Sequence, residues 1–241
     1  MDSPDIKKER SASKESWWNY DPPPTAYDLV GNNYFIKFLR PLTYFAVHLY
    51  FKERHSIKVE GWRREYSQKP FIIASNHSSH MDTPLIFSCF PFSKTNNVRT
   101  IAALDYFFSN YAFRNFSHLL CNLIPINRSS ADMISISMCE KTIKANGTLI
   151  IYPEGTRTRD GTVGDFKPGI GLIVQKTRIP VIPVCIKGSF ACFNYRHIIP
   201  KPGKVSIKFG TPMKFGLSDA SDPRKITEAV RDEVIKLSKS M

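Results

Sequence analysis

The sequence predicts an α/β fold in which a largely parallel sheet is flanked by helices, with an amphipathic helical segment at the N-terminal side. Three observations carry that reading. Apolar runs of strand length recur between residues 57 and 209, stretches with helical apolar spacing separate them, and Gly, Pro or Asn punctuates the joins. Alternation of this kind favours strands paired in parallel and joined by crossover helices. Strands are expected near residues 57–60, 71–75, 98–103, 148–153, 181–187 and 204–209, and helices near 83–90, 106–122, 130–145, 167–177 and 223–239.

In chain order, residues 1–25 read as a charged tail that ends in Pro22, Pro23 and Pro24 and carries Trp17, Trp18 and Tyr20, an aromatic group suited to a membrane interface or to the protein body. Residues 26–52 form a helical, membrane-associating segment. Phe35, Phe38, Leu39, Leu42, Phe45, Ala46 and Leu49 share one helical face, while Lys37, Tyr44, His48 and Lys52 fall on another. Its apolar run is shorter than the roughly 20 residues that a bilayer requires. The stripe therefore either packs on the core or lies in the membrane interface. Residues 53–241 then make one domain, expected to fold without the preceding segment. Within it, the helix of 130–145 stops at Asn146-Gly147 and the last helix starts at Asp222-Pro223, a cap followed by Pro in the first turn.

Composition narrows the class of function. With 241 residues and 42% hydrophobic content the chain can bury a sizeable core. A formal charge of +13 calls for an anionic partner such as phospholipid, the phosphates of a coenzyme A thioester or an acidic carrier protein. Nucleic acid fits less well, since neither zinc-finger spacing nor an aromatic RNA-binding signature is present. Five scattered cysteines without Cys-x-x-Cys spacing suit a reducing compartment, and the charged N-terminus shows no secretory signal.

The segment with the most chemistry is Asn76-His77-Ser78-Ser79-His80-Met81-Asp82, directly after the apolar run of 71–74. Taken singly, Asp82 is a helix cap and His77 a hydrogen-bonded loop histidine. Together they make a base with its orienting carboxylate, because an imidazole held by a carboxylate takes a proton from a hydroxyl near neutral pH. On a continuous helix residues five apart diverge by about 140°, so the pair meets only with His77 in the loop and Asp82 at the helix start. A second segment, Glu154-Gly155-Thr156-Arg157-Thr158-Arg159-Asp160-Gly161, follows the run of 148–153. Its glycines permit tight turns and its arginines offer planar forks for phosphate. Between the two lies Ile124-Pro125-Ile126-Asn127-Arg128-Ser129, and downstream residues 179–184 read as a strand broken by prolines.

In these four blocks, in this order and spacing, the chain resembles the glycerolipid acyltransferase family, best known for the 1-acylglycerol-3-phosphate (lysophosphatidic acid) acyltransferases. The resemblance covers roughly residues 57–210. It implies a transferase of phospholipid biosynthesis that moves an acyl group from an acyl-CoA or acyl-carrier-protein thioester to a lysophospholipid at the cytoplasmic face of a membrane, with no metal and no other cofactor. By the same resemblance His77 is the general base and Asp82 orients it, while Glu154, Gly155, Thr156 and Arg157, together with Arg128, bind substrate. One departure stands out: where many phosphate-acceptor members carry a lysine, residues 101–108 here include Ala103 and Leu104. The departure bears on the acceptor headgroup and leaves the reaction type unchanged.

The chemistry needs no acyl-enzyme, and no Gly-x-Ser-x-Gly elbow is present to present a serine. Backbone N–H groups at the helix start after Asp82 are the expected donors to the tetrahedral oxyanion. Three other readings compete: transfer to another lysophospholipid or alcohol, a non-catalytic lipid-binding protein of the same fold, and a metal-dependent hydrolase using His77, His80 and Asp82 as ligands.

Overall fold

The computed structural model describes residues 34–103, 117–126, 133–194, 197, 199–216 and 222–241. The tail with Trp17, Trp18 and Tyr20, the segment from Leu104, most of the helix expected at 106–122, and Arg128 lie outside the described residues.

Among the described residues seven strands, β1 (His55–Glu60), β2 (Ile72–Ser75), β3 (Val98–Ala103), β4 (Leu123–Ile126), β5 (Thr148–Ile151), β6 (Val181–Lys187) and β7 (Gly203–Phe209), form one sheet. Its order is β1-β7-β6-β2-β5-β3-β4. Every pairing is parallel except β6 with β7, as the alternation in the sequence implies. The named helices among the described residues are α1 (Tyr34–Arg54), α2 (Asp82–Phe87), α3 (Met133–Lys144), α4 (Gly169–Thr177), α5 (Ser189–Cys192) and α6 (Pro223–Lys239).

Strand residues buried on both faces explain the continuous apolar runs, because a parallel sheet is covered on both sides. Ile73, Ile150 and Ile182 pack on one face with Leu85 and Phe87 of α2. Ile72, Leu149 and Val181, one step along each strand, pack on the other with Val174 of α4 and Val230 of α6. The terminal signals also act as read: the Asp222 carboxylate accepts the Arg224 N–H at 2.8 Å, and the Gly147 N–H returns to Thr142 O at 2.9 Å after Asn146 adopts φ 59°.

Strand β4 is not among the strands that the sequence predicts. It is the edge strand beside β3, with Pro125 in register with Ala102, and an edge strand tolerates a residue lacking an N–H. Helix α2 is shorter than expected, ending at Phe87 before Pro91.

The stripe on α1 faces outward: Phe35, Phe38, Leu42 and Phe45 are 67%, 69%, 56% and 49% exposed. Core contact comes from another face, where Tyr44 stacks on Phe87 with ring centroids 4.6 Å apart and Phe51 joins the same cluster. Arg40 is buried between them and the rest of the domain. Its guanidinium donates to the carbonyls of His118 and Leu119 and to Asn96 Oδ1, placing a cation at the end of the helical residues 117–121, where a helix dipole favours positive charge. Burial pulls its pKa down to about 10, which leaves it charged at neutral pH. Residues 34–52 thus contribute an inner face to the core as well as an outer apolar one.

Candidate active site

Strand β2 lies between β5 and β6, with Ala74 level with Ile151 on one side and with Pro183 on the other. Loops leaving the C-terminal ends of neighbouring parallel strands emerge side by side, the usual place for a ligand in an α/β sheet. Residues 76–82 after β2, 152–168 after β5, and Gly188-Ser189 after β6 therefore meet at one edge although up to about 110 positions separate them in sequence.

The first loop is held along its whole length. The Asn76 amide donates to Ile186 O and accepts the Ile186 N–H, tying the loop to β6. Ser78 Oγ lies 3.0 Å from Ser189 Oγ, and Ser79 Oγ donates to Phe193 O while accepting the Met81 N–H. Asp82, fully buried at the first turn of α2, directs Oδ2 back into the loop, where it accepts the Ser78 and Ser79 N–H groups at 2.7 and 2.8 Å. The same oxygen lies 2.9 Å from His77 Nδ1. An oxygen that receives two N–H donors is an acceptor, so Nδ1 carries the imidazole proton and Nε2 keeps its lone pair. The other oxygen, Oδ1, is buried with no hydrogen-bond partner among the described residues.

The second loop clamps His77 from the opposite side. Glu154 Oε1 accepts the His77 N–H at 3.0 Å and the Thr158 N–H donates to His77 O at 2.8 Å. The Tyr152 ring lies flat against the imidazole, centroids 4.0 Å apart and planes 20° from parallel, and its hydroxyl sits 2.9 Å from Thr83 Oγ1. Glu154 also receives the Gly164 N–H. Burial pushes its carboxyl up to about 7, with the two N–H donors opposing and the charges of Asp82 and Asp160 adding to the rise.

Among the sequence-predicted residues, His77, Asp82 and Glu154 are brought into one hydrogen-bonded unit. Gly155 makes the turn with φ 71°, and its missing side chain gives room to Lys167, whose Nζ would lie 3.0 Å from an added Cβ. Thr156 is exposed and Arg157 half-buried beside His80. His80 is exposed; partial desolvation by its neighbours and then the Arg157 charge lower its pKa. Among the described residues no group of three His, Cys, Asp or Glu side chains is arranged to hold a metal ion. Of the N–H groups expected after Asp82 to serve an oxyanion, that of Leu85 is engaged by Met81 O and Pro84 has none, while ahead of them those of Ser78 and Ser79 go to Asp82 and that of Met81 to Ser79 Oγ.

Sequence reasoning assigned no role to Tyr152, Asn76 or Lys167. Tyr152 was legible only as a strand residue, yet it is the first residue beyond β5 and hence level with the loop after β2. A polar Asn76 following four fully buried strand residues was the one available signal for a loop anchor.

The chain is 31% identical over 161 residues to a 1-acyl-sn-glycerol-3-phosphate acyltransferase of Cocos nucifera, an alignment covering 66% of this chain and 50% of that one. A protein of the same name from Limnanthes douglasii is 26% identical over 160 residues, covering 65% and 54%. The chain spans about half the length of the curated relatives it matches. In fold it is similar to the crystal structure of the 1-acyl-sn-glycerophosphate (LPA) acyltransferase PlsC from Thermotoga maritima, with a TM-score of 0.65 and 22% identity over 93% of this chain and 85% of the other. The family model described as Acyltransferase matches residues 56–187, more than half of the chain and all of the loop from Asn76 to Asp82: the chain belongs to the Acyltransferase family.

Proposed function

We propose that this protein transfers a fatty acyl group from an acyl thioester to the free hydroxyl of a lysophospholipid, with 1-acylglycerol-3-phosphate as acceptor and phosphatidic acid as product. The observation that carries the reading is the His77 imidazole, protonated at Nδ1 by its contact with Asp82 Oδ2 and therefore basic at Nε2, on a loop whose backbone is fixed from both sides. Nε2 takes the acceptor hydroxyl proton as the oxygen attacks the thioester carbonyl carbon. The resulting oxyanion collapses with cleavage of the C–S bond, and the imidazolium returns its proton to the leaving thiolate. Asp82 stabilises the imidazolium between these steps, and such general-base assistance is worth about 10² to 10⁴ in rate.

Phosphate on the acceptor would sit against the turn at Gly155, where the Arg157 guanidinium supplies a planar fork and the Lys167 ammonium a second positive charge. The donor is acyl-CoA or an acylated carrier protein, either of which the net charge of +13 would attract. The outward apolar face of α1, with Lys37, Lys52 and Arg54 along the same helix, would lie in the headgroup region at the cytoplasmic face of a membrane. Among the described residues no helix is long and apolar enough to cross one.

A thiol-release assay with acyl-CoA and a panel of lysolipids tests the reading. His77→Ala is expected to lower turnover by about 10² to 10⁴ with folding unchanged. Asp82→Asn should lose less, because the amide oxygen can still take the Ser78 and Ser79 N–H groups. A chain that binds vesicles yet releases no thiol from any acceptor would instead be a lipid-binding member of the fold.

A further inference from the structure

The last helix lies outside the matched family region, yet one of its side chains reaches the candidate base through two intermediaries. On α6, Arg231 Nε donates to Gly164 O at 3.0 Å, and Nη2 pairs with Asp165 Oδ1 at 2.9 Å. On its other side the Gly164 N–H donates to the Glu154 carboxylate. That carboxylate accepts the His77 N–H through Oε1 at 3.0 Å. A Cβ added at Gly164 would approach Glu154 Oε2 to 3.0 Å, so the loop backbone lies directly against the acid.

We propose that Arg231 is a positioning residue for His77, acting through Gly164 and the buried Glu154 carboxylate, in the reaction where His77 is the general base; the inference rests on that reading for its effect on turnover. Arg231 is suited to the task because its neighbour Val230 is fully buried against the sheet, which makes the start of the chain of contacts rigid. The fork of a guanidinium can hold a carbonyl and a carboxylate at once, so Gly164 and Asp165 are gripped together. Packing alone leaves the loop less constrained: Val163 and Phe166 contact the core from positions that are only partly buried. Loss of the Arg231 grip frees Gly164, and with it the donor that keeps Glu154 turned toward the His77 backbone. A displacement of a base by about 1 Å is enough to cost up to about 10² in rate.

The electrostatics are consistent with this dependence. Glu154 is buried, and besides its N–H donors it faces the negative charges of Asp82 on α2 and Asp160 in its own loop. An acid so placed keeps its orientation only while its donors stay in place. Asp165 is almost fully exposed at its side chain, 97%, and its ion pair with Arg231 contributes little by itself. The carbonyl contact is the one that matters.

The test uses the full chain with three readings. Arg231→Met keeps the stem and removes both donors; it is expected to lower kcat for thiol release about tenfold while KM for the lysolipid stays within about twofold, the pattern of a lost transition-state interaction. The same substitution should speed hydrogen exchange of the His77 amide by about tenfold. In a Glu154→Gln background, whose amide nitrogen cannot accept the Gly164 N–H, Arg231→Met should add less than about twofold, whereas a merely structural arginine would multiply. Asp165→Asn, which removes only the exposed ion pair, should stay within about twofold of wild type. If Arg231→Met does not fold, Arg231→Lys, which keeps charge without the planar fork, carries the same readings. Wild-type kcat together with wild-type His77 amide exchange overturns the inference, as does full multiplication in the Glu154→Gln background. A wild-type chain that releases no thiol, or a His77→Ala variant that does, sinks the general-base reading instead, and the exchange measurement then decides whether Arg231 holds His77.

Discussion

The phenol ring of Tyr152 is stacked on the imidazole of His77 at a centroid distance of 4.0 Å. With Asp82 Oδ2 2.9 Å from Nδ1 and Tyr152 against its face, the ring is held on two sides. The Tyr152 hydroxyl adds a contact with Thr83, in the first turn of the helix that carries Asp82. A face-on aromatic also favours the imidazolium that would form in turnover.

Tyr152→Phe keeps the ring and is expected to hold kcat within about threefold of wild type, at a stability cost of about 1 kcal/mol for the lost hydroxyl contact. Tyr152→Leu removes the flat surface and should lower kcat about tenfold through misplacement of His77. Steady-state kinetics with urea unfolding of both variants checks this, and equal turnover for Phe and Leu would show the ring to be mere filling.

For Arg157 and Lys167 the expected readout is acceptor KM. Arg157→Lys loses the bidentate contact and should raise KM for a phosphate-bearing acceptor about tenfold. Lys167→Met, without the ammonium beside Gly155, should act in the same direction more weakly. An acceptor of equal chain length with no phosphate is the control. Equal losses on both acceptors would give Arg157 a structural role in its loop in place of phosphate binding.

Glu154 predicts a pH dependence of stability. Its folded carboxyl titrates near about 7, above the ordinary value of 4.5, so the folded state binds the proton more tightly than the unfolded chain. That contribution is fully present below pH 4.5 and is lost as pH rises through about 7. Glu154→Gln cannot titrate there. Urea unfolding at pH 5 and pH 8 should find the wild type losing stability relative to the glutamine variant as pH rises; a constant difference would place the Glu154 titration at its ordinary value.

The two faces of α1 separate in experiment. Phe38→Ser with Leu42→Ser changes the outward face and should reduce liposome flotation while leaving the unfolding midpoint within a few degrees, as surface substitutions do. Removing α1 exposes the cluster around Phe87 that Tyr44 and Phe51 cover, so, against the expectation that residues 53–241 fold alone, a chain starting at Arg54 should be insoluble or unfolded. A soluble, folded chain from Arg54 that still floats would remove the helix from both roles.

The parallel α/β architecture was legible because buried parallel strands leave a strong local trace: runs such as residues 71–74 and 149–151 are apolar on both faces, and the Asn-Gly and Asp-Pro signals at 146–147 and 222–223 end and start helices by backbone chemistry within a few residues. The pairing of His77 with Asp82 was legible for the same reason, since five positions along one loop confine them to contact. Strand β4 was not, because Pro125 argues against a strand until an edge position is known. Nor was the direction of the α1 stripe, since helical spacing shows that a face exists but not what covers it, and the core took Tyr44, Phe51 and the capping Arg40. Tyr152, Glu154, Gly164 and Arg231 come together only through sheet order: β5 lies beside β2, so that the loops at their C-terminal ends touch, and α6 packs where Arg231 reaches that loop. Such contacts between residues some 70 positions apart follow from strand registry and helix packing, which local propensity does not encode.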